Sequence, residues 1–168
     1  MNKEPDFKKF DIYDIVLVCG LPASGKSFFA KKYFAESDIK RVNRAEIRRM
    51  LYEMSSFGDK WSEKSFSDVD EAIVKHVEKK IIEHYIQNSI RIVIDNTSVT
   101  KQSRKYYTDI AKQNKKSIAV IFINTPVQTC IQRNRSLPDS KPESVISNLY
   151  ASLQLPDKAE GFAEIVII

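Results

Sequence analysis

The run Tyr13-Asp-Ile-Val-Leu-Val-Cys19-Gly20-Leu-Pro-Ala-Ser-Gly25-Lys26-Ser27 governs how the rest of the chain is read. Its first half, from Tyr13 to Cys19, is an apolar stretch of the kind found in strands buried on both faces. Its second half fits G-x-x-x-x-G-K-[ST], a loop whose backbone N–H groups cradle phosphates with help from the N-terminus of the next helix. Gly20 and Gly25 permit backbone angles and close approaches that a Cβ would block. Lys26 is the residue expected to reach the β- and γ-phosphates, and Ser27 the one expected to ligate Mg²⁺. Pro22, Ala23, Ser24 and Phe28 complete the expected nucleotide-binding segment. A glycine turn without a ligand is the plain alternative, but the strand before the motif and the helix pattern after it favour the cradle.

Working outward, apolar runs alternate with helical periods, which predicts an α/β fold with a mostly parallel sheet. After the first strand come a helix from Lys26 to about Ala35, a short strand near Lys40 to Asn43, and a helix around Ala45 to Tyr52. Ser55 to Phe66 reads as an irregular loop holding Gly58 and Trp61. The longest helix is expected from about Asp68 to Gln87, with Val69, Ile73, Val77, Ile81 and Tyr85 lining one face. Ile90 to Ile94 is the next strand, and Thr100 can cap a helix carrying Tyr106, Tyr107, Ile110 and Ala111. A strand at Ser117 to Ile123 and a helix from Val127 to about Arg133 follow. A polar, proline-bearing loop at 135–142 is the expected short lid. A helix near Glu143 to Leu155, with Val145, Ile146, Leu149, Tyr150 and Leu153 at helical spacing, and a strand from Phe162 to Ile168 complete the reading.

Bulk properties agree with one globular domain: 168 residues, 42% hydrophobic and 29% charged, with 4 Gly and 6 Pro. The division expected is an N-terminal extension, 1–11, and a phosphate-binding α/β domain, 12–168. A formal charge of +5 suits a polyanionic partner, although solubility alone accounts for many basic domains. Lys8-Lys9, Lys31-Lys32, Lys79-Lys80 and Lys115-Lys116 read as solvated faces. Cys19 and Cys130 share no metal-ligand spacing with His76 or His84, so two buried thiols and two surface histidines are expected. No apolar run is long enough to span a bilayer, and the charged start from Met1 to Phe10 lacks a signal-peptide core. A cytoplasmic protein with no membrane partner is expected.

Asp95 ends the Arg91-Ile-Val-Ile-Asp95 run, and ligand groups of open parallel sheets gather at such carboxyl ends. An acidic residue there commonly holds the metal or its water in phosphate-loop proteins. Capping of the next turn is the alternative role for Asp95.

Five ordered segments, GLPASGKS (20–27), VNRAEIR (42–48), IDNT (94–97), QRNR (132–135) and AEGFAEI (159–165), resemble the P-loop kinases of polynucleotide 5′-hydroxyl kinase type found in end-repair enzymes. The resemblance covers nearly the whole chain from Ile15 onward. It implies a P-loop NTPase fold and Mg²⁺-dependent transfer of the γ-phosphate of ATP (or GTP) to a nucleic-acid 5′ end, DNA or RNA. It also implies possible membership of a larger repair enzyme. By position it makes Lys26 and Ser27 the phosphate and Mg²⁺ residues, with Asp95 supporting the metal. Arg133 would lie against the nucleotide base, and Arg135 would reach from the lid to the transferring phosphate. Arg44 and Arg48 would bind the acceptor strand. As guanidinium forks suit phosphate oxygens, each role is chemically sound. A solvated helix end is the other reading for Arg133 and Arg135.

One departure stands out. The family's general-base Asp follows the Asn-Arg pair, and here that position is Ala45. Glu46 is the neighbouring carboxylate, rotated about 100° along a helix. Three readings are open: Glu46 substitutes from an irregular first turn, the activity is altered or lost, or Ala45 is an engineered replacement. A small-molecule or sugar-nucleotide kinase and a non-catalytic nucleotide-binding module are the rival functions. Trp61 either anchors its loop or stacks on a nucleobase.

Overall fold

Consecutive residues of the apolar runs face opposite sides of one sheet, and this alternation sorts the core into two layers. The computed structural model describes residues 7–168, apart from the side chain of Lys8; residues 1–6 of the expected extension lie outside the described residues. The strands are β1 (Ile15–Gly20), β2 (Lys40–Val42), β3 (Ile92–Asp95), β4 (Ile118–Ile123) and β5 (Glu164–Ile167). They form a sheet in the order β2-β3-β1-β4-β5, every pair parallel. The helices are α1 (Lys26–Phe34), α2 (Arg44–Ser55), α3 (Asp68–Gln87), α4 (Lys101–Gln113), α5 (Val127–Arg135) and α6 (Glu143–Ala151).

Ile15, Leu17, Ile92, Ile94, Val120 and Phe122 face α3 and α4, while Val16, Val18, Val93, Ala119 and Ile121 face α1. Burial on both faces explains why β1 and β4 read as continuous apolar runs. Phe7–Ile12 forms a 3₁₀ turn whose Phe7 and Phe10 enter the α1 layer, with the Phe7 ring 4.7 Å from Phe29. The described part of the expected extension therefore packs against the domain. Cys19 and Cys130 are buried free thiols, and burial pushes Cys19 up to about 12.

Several boundaries move. The α3 face is turned: Val74, Glu78, Ile82 and Ile86 are buried, whereas Val69 is 82% exposed and Ile73 lies in solvent. The expected stripe of Val77, Ile81 and Tyr85 is only its partly buried flank. A charged residue, Glu78, sits in the buried row, which hid that row from a search for apolar spacing. The last helix ends at Ala151, not Leu155, because tertiary bonds capture the next turn: Gln154 N–H donates to Val99 O at 2.9 Å, and the Gln154 side chain accepts from Lys101 N–H. Val145 and Tyr150 are accordingly exposed, leaving Ile146 as the buried residue of α6. Thr100 caps α4 as expected, in a reciprocal capping box with Ser103.

Candidate active site

The carboxyl ends of β1 and β3 open into a cleft of about 360 Å³. One wall is the phosphate loop. Gly20 has a φ of 148°, and a Cβ there would lie 2.5 Å from Ile123 O, so the end of β4 demands glycine. Gly25, at φ 103°, turns the chain into α1, whose first-turn N–H groups have no intrahelical partner. Ala23 holds φ 59°, a left-handed conformation that costs a non-glycine residue about 1 kcal/mol or more. Lys26 is buried and donates to Leu21 O at 2.6 Å. Burial lowers its pKa to about 8, partly offset by Asp95. Pro22, Ala23, Lys26 and Ser27 line the cleft. Ser24 is buried behind them, its carbonyl accepting from Thr125 Oγ1 at 2.8 Å and Arg133 Nη1 at 3.3 Å. Phe28 is 75% exposed on the outer side of α1 and does not line the cleft.

The second wall is α2. Asn43 caps it, accepting from Glu46 N–H at 2.9 Å, and its amide donates to Asp95 O at 2.8 Å and Asp95 Oδ2 at 3.1 Å. The backbone N–H of Arg44 donates to Asn96 Oδ1 at 2.9 Å. These bonds clip the VNR and IDN segments together, although 52 residues separate them. Beneath them lies a buried polar cluster. Glu78 accepts from Arg44 Nε at 2.7 Å and from Tyr107 Oη at 3.0 Å, and it also meets the Asn96 amide. Arg44 borders the cleft, but its guanidinium is committed to Glu78 and Tyr107.

Arg48 faces the cleft with Nε and Nη2 on the Glu71 carboxylate, at 2.8 and 3.0 Å. Its guanidinium lies 5.8 Å from the Trp61 ring and 5.9 Å from that of Phe66. Trp61 is itself buried, so it anchors its loop and braces Arg48.

Ala45 lines the cleft on the exposed first turn of α2. The turn is a regular capped one, and Glu46 points elsewhere, to Arg41 Nη1 at 2.8 Å and Lys31 at 3.8 Å. Substitution by Glu46 from an irregular turn therefore has no geometric basis. The carboxylates that do line the cleft are each held by a cation: Asp95 by Arg41, Glu71 by Arg48, Asp139 by Arg49 and Glu63 by Lys141. Asp95 retains one buried oxygen, Oδ1, with no hydrogen-bond partner among the described residues.

The lid, residues 136–142, crosses between α5 and α6. Buried Asn134 staples it by donating to Lys141 O at 2.8 Å and accepting from Lys141 N–H at 2.9 Å. Leu137, Pro138, Asp139 and Lys141 line the cleft. Arg135, in contrast, lies outside the lining, with its fork on Glu143 at 2.6 and 3.2 Å. Arg41, Arg49, Glu71, Glu78, Asn96 and Lys141 were missed by the sequence reading; of these, only Asn96 belonged to a recognisable motif.

The chain's residues 15–156 match the AAA domain family model, AAA_33. This chain belongs to that family of P-loop kinase domains. Among its relatives, the L-seryl-tRNA(Sec) kinase of Methanococcus maripaludis is 22% identical over 84% of this chain and 53% of its own length. The bifunctional polynucleotide phosphatase/kinase of Schizosaccharomyces pombe is 27% identical over 95% of this chain and 34% of its own length. The domain thus spans about half or a third of the curated relatives it matches. A solved Pnkp1/Rnl/Hen1 RNA repair complex shares the fold, with a TM-score of 0.66 and 23% identity over 83% of this chain and 43% of that one. Among the described residues, no helix is long and apolar enough to cross a membrane.

Proposed function

We propose that this P-loop kinase domain transfers the γ-phosphate of ATP to the 5′-hydroxyl of DNA or RNA, with an attenuated rate because position 45 carries no base. The observation that carries the reading is a second wall built from exchangeable ion pairs. Opposite the phosphate loop, α2 and the lid bring Arg48, Arg49 and Lys141 to the same cleft, each resting on a carboxylate, Glu71, Asp139 and Glu63, that an incoming phosphate can replace as partner. A nucleic-acid acceptor brings its own phosphate, and Arg48, beside the Trp61 and Phe66 rings with its fork on Glu71, is the guanidinium we assign to it, the phosphate taking the place of that carboxylate. The polynucleotide phosphatase/kinase relative supports the same choice.

Ser27 and Asp95 are the residues to hold Mg²⁺. Hydroxyl and carboxylate oxygens suit a hard cation, and Asp95 Oδ1 is a buried acceptor still without a partner among the described residues. The cation would neutralise charge on the transferring phosphate. Lys26, desolvated before any phosphate arrives, gains most from an anion beside it. Phosphoryl transfer needs mainly positioning and charge stabilisation, so a missing base slows it by about 10²- to 10⁴-fold and leaves the rest of the site in place. Ala45 also favours a second reading, a nucleotide-binding module that transfers to no acceptor.

Competition tests the assignment. The domain is incubated with γ-labelled ATP, Mg²⁺ and a 5′-hydroxyl oligonucleotide, against excess unlabelled oligonucleotides, nucleosides, sugars or sugar nucleotides. Suppression by oligonucleotides alone is expected. Labelling of a sugar or free nucleoside in preference to the oligonucleotide would overturn the acceptor assignment.

A further inference from the structure

Arg41 lies on the edge strand β2, outside the phosphate loop and outside the cleft lining, with a side chain 19% exposed. Its Nε and Nη2 both donate to one oxygen of Asp95, Oδ2, at 3.1 and 2.7 Å. Asn43 Nδ2 donates to that same oxygen at 3.1 Å. A carboxylate offers about four lone-pair directions over its two oxygens, so three donors exhaust Oδ2. The other oxygen, Oδ1, is buried and without a hydrogen-bond partner among the described residues. The third arm of the guanidinium, Nη1, is held by Glu46 Oε1 at 2.8 Å, which fixes the fork from behind.

From this geometry we infer that Arg41 is a positioning residue that sets cation choice at the nucleotide site, by allowing Asp95 to offer one oxygen only. The inference rests on the metal–nucleotide reading above. Mg²⁺ demands a near-ideal octahedron and keeps several waters, so a single oxygen, direct or through water, satisfies it. Ca²⁺ takes about six to eight oxygens and readily uses both oxygens of a carboxylate, which the Arg41 fork denies it here. The positive charge of Arg41 weakens the pull of Asp95 on either divalent ion alike. The discrimination therefore shows in the ratio of the two affinities and not in either alone.

The test measures binding of a fluorescent, non-hydrolysable ATP analogue to the full chain, at matched Mg²⁺ or Ca²⁺. Arg41→Gln is expected to move the ratio severalfold toward Ca²⁺. Arg41→Lys, which keeps the charge and loses the fork, is expected to move it the same way, and it serves where the neutral variant melts too low. In an Asp95→Asn background, Arg41→Gln should leave the ratio unchanged, since the pair acts through one carboxylate. An unchanged ratio in both Arg41 variants of the otherwise native chain overturns the inference and leaves the nucleotide site standing. Cation-independent binding of the analogue by the native chain overturns the metal–nucleotide reading, and the inference with it.

Discussion

The two walls of the cleft are built in opposite ways. The phosphate loop is made by one contiguous stretch, 20–27, shaped by backbone angles: positive φ at Gly20, Ala23 and Gly25, and no room for a side chain at Gly20. The α2 wall is held by side chains that find each other across the chain, at separations of 23 residues for Arg48 and Glu71 and 34 for Arg44 and Glu78, with Arg41 and Asp95, 54 apart, bracing it from the sheet edge. A backbone-built wall keeps its shape when its functional side chain is cut away. A wall of ion pairs loses shape and function together.

The sharpest way to break this contrast is a cut on each side. Lys26→Met should reduce nucleotide-dependent transfer by about 10³-fold, since removing one preorganised charge-stabilising donor costs that order. An active variant would sink the site assignment. The same variant should melt no lower than the native chain, because the buried ammonium is itself a burden on the fold.

Glu78→Leu tests the other wall and should cost stability. It strands Arg44 beside a buried site, and breaking such a pair typically costs about 3 kcal/mol. Urea unfolding should show it, along with weaker oligonucleotide binding as α2 loses its seat. A Glu78→Leu protein as stable as the native one would mean that the cluster under α2 is ornamental.

The smallest effect sharpens the contrast through pH. The pKa of Lys26 in the folded protein, about 8, lies below its unfolded value near 10.5. The unfolded chain therefore binds more protons between these values, and the folded state gains stability as pH rises through that window. The penalty is fully present below pH 8, so the stability gained by Lys26→Met should be largest there and shrink toward pH 10. Nucleotide binding near pH 8.5 should also take up protons, as phosphate recharges Lys26, and calorimetry in buffers of differing ionisation enthalpy reads this directly.

What was legible in the sequence follows the same division. The phosphate loop, the parallel sheet and the strand-end Asp95 all rest on local pattern: glycine spacing, apolar runs and the residue that ends a strand. Ala45 lines the cleft on a turn whose phase the buried Ile47 fixes, and the sequence pointed to that position through the family resemblance and not through local pattern. Arg41 was not legible, being one cation in a three-residue edge strand. Glu78 was hidden in a helix rich in charge, where a carboxylate beside Lys79 and Lys80 reads as solvated. Local pattern carries no information on which acid a distant arginine meets. Glu160 makes the same point: it belongs to a motif that carried the family resemblance, yet its visible work is to clamp the fully buried Arg104, at 2.8 and 2.7 Å.

If the cleft transfers phosphate slowly for want of a base at position 45, as proposed, restoring that base is the most direct test. The native chain and Ala45→Asp would be compared with γ-labelled ATP, Mg²⁺ and 5′-hydroxyl DNA and RNA oligonucleotides. Label at the 5′ end should rise by about 10²- to 10⁴-fold in Ala45→Asp. Equal labelling by both proteins, or none by either while the nucleotide binds, would contradict it.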